Sequence, residues 1–368
     1  MNNKHVIMEK KNKKAAESFT AYMQRTIAAL EREERFGTAR VYYYALRSFT
    51  SFIGGGEIFF GALNRWSLKR FENHLLDSLC SWNTVSTYAR ALRAIYNRAV
   101  DEEIVEGEYR LFNNVFTGAK AEKKRALQAG QMHQLLEPEN PDCTARPEGK
   151  QPGKKHRPEK KAPKEGQPEE TSRLQANIPE PIHRSQDLLA LMLLLQGMPF
   201  TDLIHLRKDD LKNDAEGEYH LSCLRRKTAT PLNVTVPPKA LALIERYKSN
   251  NPSSPYLLSF FDEIRSAQEI YKEYQLQLRK LNYGLSRLPG YCGMEGLKIS
   301  SYTARHTWAT LAKYCQVPEE VISEGLGHSS LKVTRTYLKR FDGDELARAN
   351  RIIMEYIFTG KKNTWERQ

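Results

Sequence analysis

Three residues near the C-terminal end of the sequence have side chains suited to chemistry on an anion. Arg305, His328 and Tyr337 lie within 33 residues of one another. Apolar residues spaced from Trp308 to Cys315 predict a helix with Arg305 in its first turn. A guanidinium at a helix N-terminus is suited to bind an anion. A tyrosine phenol, with a reference pKa of about 10, is a weak nucleophile unless neighbouring groups position and activate it.

Turn residues between the three side chains predict how they are positioned. Pro318 predicts the start of a second helix, and Gly325 and Gly327 predict its end. His328 then falls in the turn before Ser329-Ser330, which can cap a last short helix. Tyr337 lies about two turns into that helix. The sequence therefore predicts two helices and a turn that present an arginine, a histidine and a tyrosine.

The segments preceding this region predict a mixed architecture. An almost continuous apolar stretch over 187–198 predicts a central helix, and the alternating segments 219–224 and 232–236 predict a β-hairpin. Lys227 stands at the hairpin tip. Helices are predicted again over 239–247, over 261–281 and from 301 onward. The fold class is therefore mainly α with a small antiparallel β-sheet (α+β).

The N-terminal part predicts a separate bundle of four helices. Its fourth helix is predicted to begin at Asn83-Thr84 and to carry Arg90, Arg93 and Asn97 on its outer face. These side chains fit a nucleic-acid groove, but spacing alone fits a solvated basic face equally well. The same two interpretations are open for Lys123 and Lys124, which follow this bundle. The inner stripes of the four helices contain Phe19, Met23, Ile27, Leu30, Tyr42, Leu46, Phe49, Ile53, Phe71, Leu75, Leu79, Val85, Tyr88, Leu92, Ile95 and Ala99.

Charge and composition restrict the class of protein. The 368 residues hold 57 Lys and Arg against 44 Asp and Glu, a net charge of +13 that favours a polyanionic partner such as nucleic acid over a merely soluble basic protein. The longest apolar run, 188–195, has eight residues, too few for a membrane span. Five cysteines without a CxxC pair disfavour a disulfide framework and a zinc site. We therefore expect a protein of a reducing cytoplasm.

The segment 137–180 differs from both flanks. It contains eight of the 17 prolines, no aromatic residue, and nine basic and nine acidic residues. Such a composition predicts a disordered insertion with no net charge. Residues 1–136 carry 21 basic and 14 acidic residues, so the excess is +7 there and +6 over 181–368. Two basic folded parts are what a clamp around a duplex requires.

Taken together, these motifs resemble a known family. R-H-T-W-A-T at 305–310, L-G-H-S-S at 326–330 and T-x-x-Y-L at 334–338, with a lysine on an upstream hairpin, resemble the catalytic domain of tyrosine recombinases, the phage-type integrases. The branch common on Bacteroides-type mobile elements and invertible segments is the most similar. The resemblance extends over nearly the whole chain.

The resemblance implies a reaction at phosphorus. In this family a tyrosine hydroxyl attacks a DNA phosphodiester, forms a 3′-phosphotyrosyl bond and frees a 5′-hydroxyl, without metal or ATP. It assigns Tyr337 as nucleophile, Arg305 as the second catalytic arginine, Lys227 as general acid and His328 as a phosphate contact. Arginines suit the charge that develops on the nonbridging oxygens, and a lysine can protonate the leaving oxygen.

Two positions depart from the family pattern. Gln196 occupies the position of the first catalytic arginine, and an amide supplies no positive charge. Tyr302 stands where a histidine is common, and its phenol can still donate a hydrogen bond to phosphate. Arg225 and Arg226, which precede Lys227 on the hairpin and are candidate DNA contacts, are candidate replacements for the missing cation, together with Arg207.

The resemblance also implies a domain organisation. It comprises a flexible basic N-terminus (1–14), a helical core-binding, SAM-like DNA-binding domain (15–112), a linker (113–126), a catalytic domain (127–358) interrupted by the insertion 137–180, and a tail (359–368). A helix over 345–356 would dock on a neighbouring subunit.

The implied partner is duplex DNA, bound by a homo-tetramer on paired sites, with room for accessory DNA-bending proteins. The implied location is cytoplasmic and nucleoid-associated, with no membrane contact and no cofactor. Two alternatives remain: a catalytically impaired DNA-binding relative, favoured by Gln196, and an enzyme resembling type IB topoisomerases that acts alone.

Overall fold

The computed structural model describes residues 18–120, 125–137, 178–263, 266–328 and 330–338. The chain divides into two compact units, one of residues 1–123 with 266–271 and the other of residues 124–265 with 272–368. Several predictions lie outside the described residues. They concern the N-terminal segment 1–14, Lys123 and Lys124, nearly all of the insertion, the docking helix 345–356 and the tail.

Unit 1 is helical, as its amphipathic stripes predict, but the prediction was wrong for Leu79, which lies beyond the third helix and is 94% exposed, and for Ile53, which is 40% exposed. Its helices are α1 (Phe19–Arg32), α2 (Phe36–Ile53), α3 (Arg65–Asp77) and α4 (Trp82–Asp101), with a 3₁₀ turn at Phe60–Ala62. Phe19, Phe49, Phe60 and Phe71 are buried and in mutual edge contacts, with ring centroids 5.1–6.4 Å apart. Aromatic pairs in this edge-to-face arrangement stabilise a core beyond their buried area.

The predicted start of α4 is wrong by one to two residues. The N-cap is Ser81, whose hydroxyl accepts a hydrogen bond from the Thr84 amide at 3.2 Å. Asn83 lies inside the helix, and its amide oxygen instead accepts a hydrogen bond from the Lys120 amide at 3.0 Å. Both Ser81 and Asn83 are good capping residues, so local sequence did not distinguish them.

Unit 2 combines helices with the small antiparallel sheet. The elements are α5 (Ala129–Leu136), α6 (Glu180–Leu194), α7 (Phe200–Leu203), a 3₁₀ turn (Lys208–Asp210), β1 (Leu211–Asn213), β2 (Tyr219–Leu224), β3 (Pro231–Val236), α8 (Pro238–Tyr247), α9 (Ala267–Tyr291), α10 (Thr303–Tyr314), α11 (Glu319–Gly325) and α12 (Leu331–Tyr337). The first residues of α9, up to Tyr271, belong to unit 1.

The sheet contains the predicted hairpin and one strand more. The order is β1-β2-β3, all antiparallel, with Leu221 opposite Leu211 and Val234. Leu232, Val234 and Val236 are buried and alternate with exposed residues along β3, so this face packs on the core. The three-residue β1 was not predicted because so short a segment carries no clear alternation.

The boundaries of α9 also differ from the prediction of 261–281. The helix begins after Ser266, whose hydroxyl accepts a hydrogen bond from the Glu269 amide at 3.3 Å. Phe261 is instead buried in the preceding loop, 5.0 Å from the His205 ring. The apolar character of Phe261 therefore reflects loop packing and not a helical stripe. The predicted fold class, mainly α with a small antiparallel sheet, is confirmed.

No helix in the described part of the chain is both long and apolar enough to cross a membrane.

Candidate active site

Arg305 is the most deeply buried charged residue of the candidate site. Its side chain lies in the first turn of α10 and the residue is 2% exposed. Nη1 donates to the Gly197 carbonyl at 3.1 Å, and Nη2 donates to the Leu326 carbonyl at 2.5 Å and to His328 Nε2 at 2.9 Å. Burial and, secondarily, the charge of Arg225 lower the pKa of Arg305 to about 10. Arg305 therefore remains a cation at neutral pH.

A left-handed turn after α6 brings one of these carbonyls to Arg305. Gln196 and Gly197 have φ values of 56° and 67°. A Cβ at Gly197 would lie 2.9 Å from Arg305 Cα and 3.2 Å from Trp308 Cβ. Position 197 therefore requires glycine both for its backbone conformation and for the close approach of α10.

His328 links the arginine to the helix that carries the tyrosine. A guanidinium can only donate, so His328 Nε2 accepts the bond from Arg305, and Nδ1 carries the proton. Nδ1–H then donates to Thr334 Oγ1 at 2.9 Å. Burial, followed by the charges of Arg305 and Arg225, lowers the pKa of His328 to about 4. His328 is therefore neutral at physiological pH, with a defined tautomer.

Tyr337 lies between two imidazole rings at the end of α12. Its ring centroid is 4.6 Å from that of His306 and 5.0 Å from that of His328. The Arg305 guanidinium carbon is 5.4 Å from the same centroid. His306 Nδ1 is also 3.4 Å from the Tyr337 carbonyl oxygen. These contacts hold the phenol ring beside a buried cation.

A second buried guanidinium belongs to Arg225, at the end of β2. Its Nε donates to Asp202 Oδ2 at 3.4 Å, and its Nη1 donates to the carbonyls of Leu326 and Gly327 at 3.3 and 3.0 Å. Asp202 Oδ1 accepts the backbone N–H of Arg226 at 3.1 Å. Arg225 was predicted as a DNA contact, and the structure places it inside the candidate site.

The other predicted site residues lie at the margin of this cluster. Lys227 is exposed in the turn between β2 and β3, beside the exposed Arg226. Tyr302 is the N-cap of α10 and is 55% exposed. Gln196 is half-buried, with its amide oxygen 3.4 Å from where a Cβ on Gly325 would stand. The described contacts bring Arg305, His328 and Tyr337 together and do not join Lys227 or Tyr302 to them.

The predicted DNA contacts of unit 1 lie along α4. Arg90 and Asn97 are exposed, and Arg93 is half-buried with Nη1 3.3 Å from Thr117 Oγ1. A further cation lies near these residues: the ammonium of Lys120 is 3.7 Å from the Trp82 ring centroid at the start of the same helix. Sequence reasoning missed Lys120 because the loop that carries it is 37 residues from the Asn83 amide group that anchors it.

Sequence reasoning also missed Thr334 as a partner of the site. It is fully buried and holds His328 in its tautomer. A signal was present, because Thr334 stands one helical turn before Tyr337. The sequence carries no comparable signal for the carbonyls of Gly197 and Leu326, because every residue has a backbone carbonyl and residue identity does not show which one accepts a hydrogen bond.

The described residues contain no group of three or more His, Cys, Asp or Glu side chains placed to hold a metal ion.

Two family profiles match the sequence. Residues 18–115 match the phage integrase SAM-like domain, and residues 167–343 match the phage integrase family. Between them they contain unit 1's four helices and the whole described cluster around Arg305.

A curated relative is also similar. The tyrosine recombinase XerA of Thermococcus kodakarensis is 31% identical over 173 residues, which cover 46% of this chain and 56% of that protein. The match thus spans little more than half of the relative's length.

Several solved structures share the fold at low sequence identity. The Tn1549 transposon integrase in complex with a circular intermediate DNA has a TM-score of 0.53 at 12% identity, covering 91% of this chain and 99% of that one. XerH site-specific recombinase bound to palindromic difH substrate has a TM-score of 0.52 at 17% identity, covering 79% and 70%. A lambda integrase dimer bound to a COC′ core site has a TM-score of 0.53 at 12% identity, covering 91% and 82%.

Proposed function

Since this chain belongs to the phage integrase family of tyrosine recombinases, we propose that it is a site-specific DNA recombinase. It cuts and rejoins duplex DNA through a 3′-phosphotyrosyl intermediate, in integration, excision or inversion. The observation that carries the proposal is the placement of the Tyr337 phenol between His306 and His328, beside the buried Arg305. Among the described residues no carboxylate forms an ion pair with Arg305, and a structural tyrosine does not require such an unpaired buried guanidinium beside it.

The proposed cleavage step uses these residues in separate roles. Tyr337 Oη gives up its proton to water and attacks phosphorus, the bond from phosphorus to the 5′-oxygen breaks, and Lys227 donates the proton that the leaving oxygen needs. Arg305 stabilises the negative charge on the nonbridging oxygens, where a preorganised donor is worth most. His328, neutral and fixed by Thr334, accepts from Arg305 through Nε2 and so orients that guanidinium; to contact the phosphate itself, as the family resemblance implies, Nε2 must first take up a proton. Rejoining is the reverse reaction with a different 5′-hydroxyl.

The position of Lys227 supports its role as the acid. It is exposed in a tight turn between two paired strands, so its flexible side chain is free to reach a bound phosphate. The turn is anchored at its base by Arg225, whose backbone N–H donates to the Thr230 carbonyl at 2.9 Å. In the proposed complex, the Lys227 side chain reaches the phosphate once DNA is bound.

We also propose how the protein binds DNA and assembles on it. Duplex DNA is bound by a core-binding domain (15–112) and a catalytic domain (127–358), and synapsis uses a homo-tetramer on two sites with accessory DNA-bending proteins. The protein belongs to the branch found on Bacteroides-type mobile elements and acts in the cytoplasm at the nucleoid. Arg90, Arg93, Asn97 and Lys120 on one side of unit 1 support a DNA-facing surface there.

The test is capture of the covalent intermediate. The probe is a library of duplexes with randomised sequence and a nick one to three nucleotides from each candidate cleavage point, so that the freed fragment diffuses away and the adduct accumulates. The wild-type chain is expected to give a band that survives denaturing gel electrophoresis and to enrich one core sequence. Tyr337→Phe is expected to bind the enriched duplex with unchanged affinity and to give no adduct.

The matched outcomes separate the alternatives. Duplex binding without any wild-type adduct would contradict the proposal and indicate a catalytically impaired relative, the alternative that Gln196 favours. An adduct together with relaxation of supercoiled DNA that lacks the enriched core sequence would indicate an enzyme acting alone. An adduct that persists in Tyr337→Phe would remove Tyr337 from its role.

A further inference from the structure

Two guanidinium groups converge on one turn of unit 2. Nη2 of Arg305 and Nη1 of Arg225 both donate to the carbonyl oxygen of Leu326, at 2.5 and 3.3 Å. Arg225 donates also to the next carbonyl, that of Gly327, at 3.0 Å. The two residues are 2% and 8% exposed. Burying two like charges so close together costs free energy of folding, and an anion bound between or beside them would reduce that cost.

The charge of the pair is only partly compensated. Asp202 is the one carboxylate in ion-pair contact with either guanidinium among the described residues, and it contacts Arg225. The Arg305 Nε is buried and has no hydrogen-bond partner among these residues. Burial and then the charge of Arg225 lower the pKa of Arg305, and the second contribution reflects the mutual repulsion of the pair. A cluster with one net positive charge is suited to one phosphodiester.

Arg225 also has a donor to spare. Its Nε and Nη1 are committed to Asp202, Leu326 and Gly327, and its Nη2 donates to no described residue. The hydrogen bonds of Nε and Nη1 fix the plane of the guanidinium. Nη2 is therefore held in a defined position although it donates no hydrogen bond to a described residue. A fixed donor of this kind loses little entropy when it binds an anion.

The other cations near the hairpin do not have this arrangement. The side chain of Arg226 is exposed, and only its backbone N–H contacts Asp202. Arg207 is exposed at the 3₁₀ turn before β1, where its own backbone N–H donates to Asp210 at 2.8 Å. Gln196 is neutral. Arg225 alone of these residues is a buried cation that shares an acceptor with Arg305.

We propose that Arg225 is a catalytic residue that donates from Nη2 to a nonbridging oxygen of the attacked phosphate and supplies the positive charge that Gln196 lacks. The inference rests on the proposed function. In the step itself, the phenolic proton of Tyr337 passes to water, the bond from Tyr337 Oη to phosphorus forms and the bond from phosphorus to the 5′-oxygen breaks. The proton on the 5′-oxygen comes from Lys227. Arg225 exchanges no proton and acts by charge and hydrogen bonding.

The test compares a charged with an uncharged phosphate. A methylphosphonate at the cleaved position replaces one charged nonbridging oxygen by a methyl group, so it no longer needs the second guanidinium. Arg225→Gln is expected to lower the rate of adduct formation at least ~100-fold on phosphate, the loss typical of a removed transition-state donor. On methylphosphonate the deficit relative to wild type is expected to shrink at least about tenfold, a difference of roughly 1.4 kcal/mol. Arg279→Gln, which removes an exposed arginine of α9, is expected to stay within about threefold of wild type on both substrates.

Equal losses on both substrates would overturn the inference and make Arg225 a support for the 326–327 turn only. If Arg225→Gln does not fold, Gln196→Arg provides a second test of the inference. In the wild-type background it is expected to raise the rate less than about threefold, because the charge is already present, and in folded Arg225→Gln to recover at least about tenfold. A ~100-fold gain in the wild-type background would overturn the inference. Absence of any wild-type adduct would instead contradict the proposed function itself.

Discussion

Gly327 directly follows Leu326, whose carbonyl accepts from both arginines of the site, and replacing Gly327 by alanine should strain this turn. Its φ is 60°, and an added Cβ would lie 2.6 Å from Arg225 Cδ and 2.8 Å from Leu232 Cδ2. The left-handed conformation alone costs an L-residue about 1–2 kcal/mol. Displacing two packed side chains costs about 1–3 kcal/mol more. We therefore expect Gly327→Ala to lower the free energy of unfolding of unit 2 by about 2–5 kcal/mol.

Gly217→Ala is the matched control for the backbone contribution. Gly217 has a φ of 87° in the turn between β1 and β2, and no heavy atom lies within 4 Å of its added Cβ. It therefore carries the conformational cost without the clash, about 1–2 kcal/mol. The difference between the two variants, about 1–3 kcal/mol, measures how firmly Arg225 and Leu232 are held against the turn.

The assay is urea unfolding followed by tryptophan fluorescence, with hydrogen exchange of the peptides over 320–328 to assign the change to unit 2. Gly327→Ala should also slow adduct formation about tenfold or more, because Arg225 must shift to admit the new methyl group. Equal destabilisation by Gly327→Ala and Gly217→Ala would refute the reasoning. It would show that Arg225 is free to move and is not held by the carbonyls of the turn.

Two further predictions concern the histidines. The pKa values of His205 and His328 are lowered to about 4 by burial, so the unfolded chain takes up protons below about pH 6.5 that the folded chain does not. The free energy of unfolding of unit 2 should therefore fall as the pH decreases from about 6.5 to 4, and His205→Gln should show a smaller fall in urea titrations across this range; identical profiles would contradict this. Thr334→Val leaves Nδ1–H of His328 without its acceptor and should slow adduct formation about 10- to 100-fold with duplex affinity unchanged, whereas Thr334→Ser should retain the rate. A valine variant as fast as wild type would show that the tautomer of His328 is set elsewhere.

Most of the fold could be predicted because its signals are local. The apolar stripe from Phe19 to Leu30 and the alternation over 232–236 each predict which face of their element is buried. In the structure these faces of α1 and β3 are buried. Element boundaries were less predictable. Ser81 and Asn83 are both capping residues, and the choice between them depends on Lys120, which binds Asn83 from a distant loop.

The candidate site likewise contains residues whose positions could be predicted from local sequence and one residue whose position could not. Arg305, His328 and Tyr337 lie on consecutive elements, so their proximity follows from short-range spacing. The inward position of Arg225 does not, because its contacts are Asp202, 23 residues before it, and Gly327, 102 residues after it. On sequence alone, Arg225 and Arg226 are two equivalent basic residues beside a lysine.

The +13 net charge likewise has two physically different parts. Exposed cations such as Arg90 and Arg226 attract a polyanion over a distance set by salt, and each contributes little by itself. Arg225 and Arg305 are shielded from counterions by burial, so their charge acts at short range in a medium where it is worth more. Removing an exposed arginine should therefore weaken duplex binding in a salt-dependent way, whereas removing a buried one should slow the chemical step at any salt concentration.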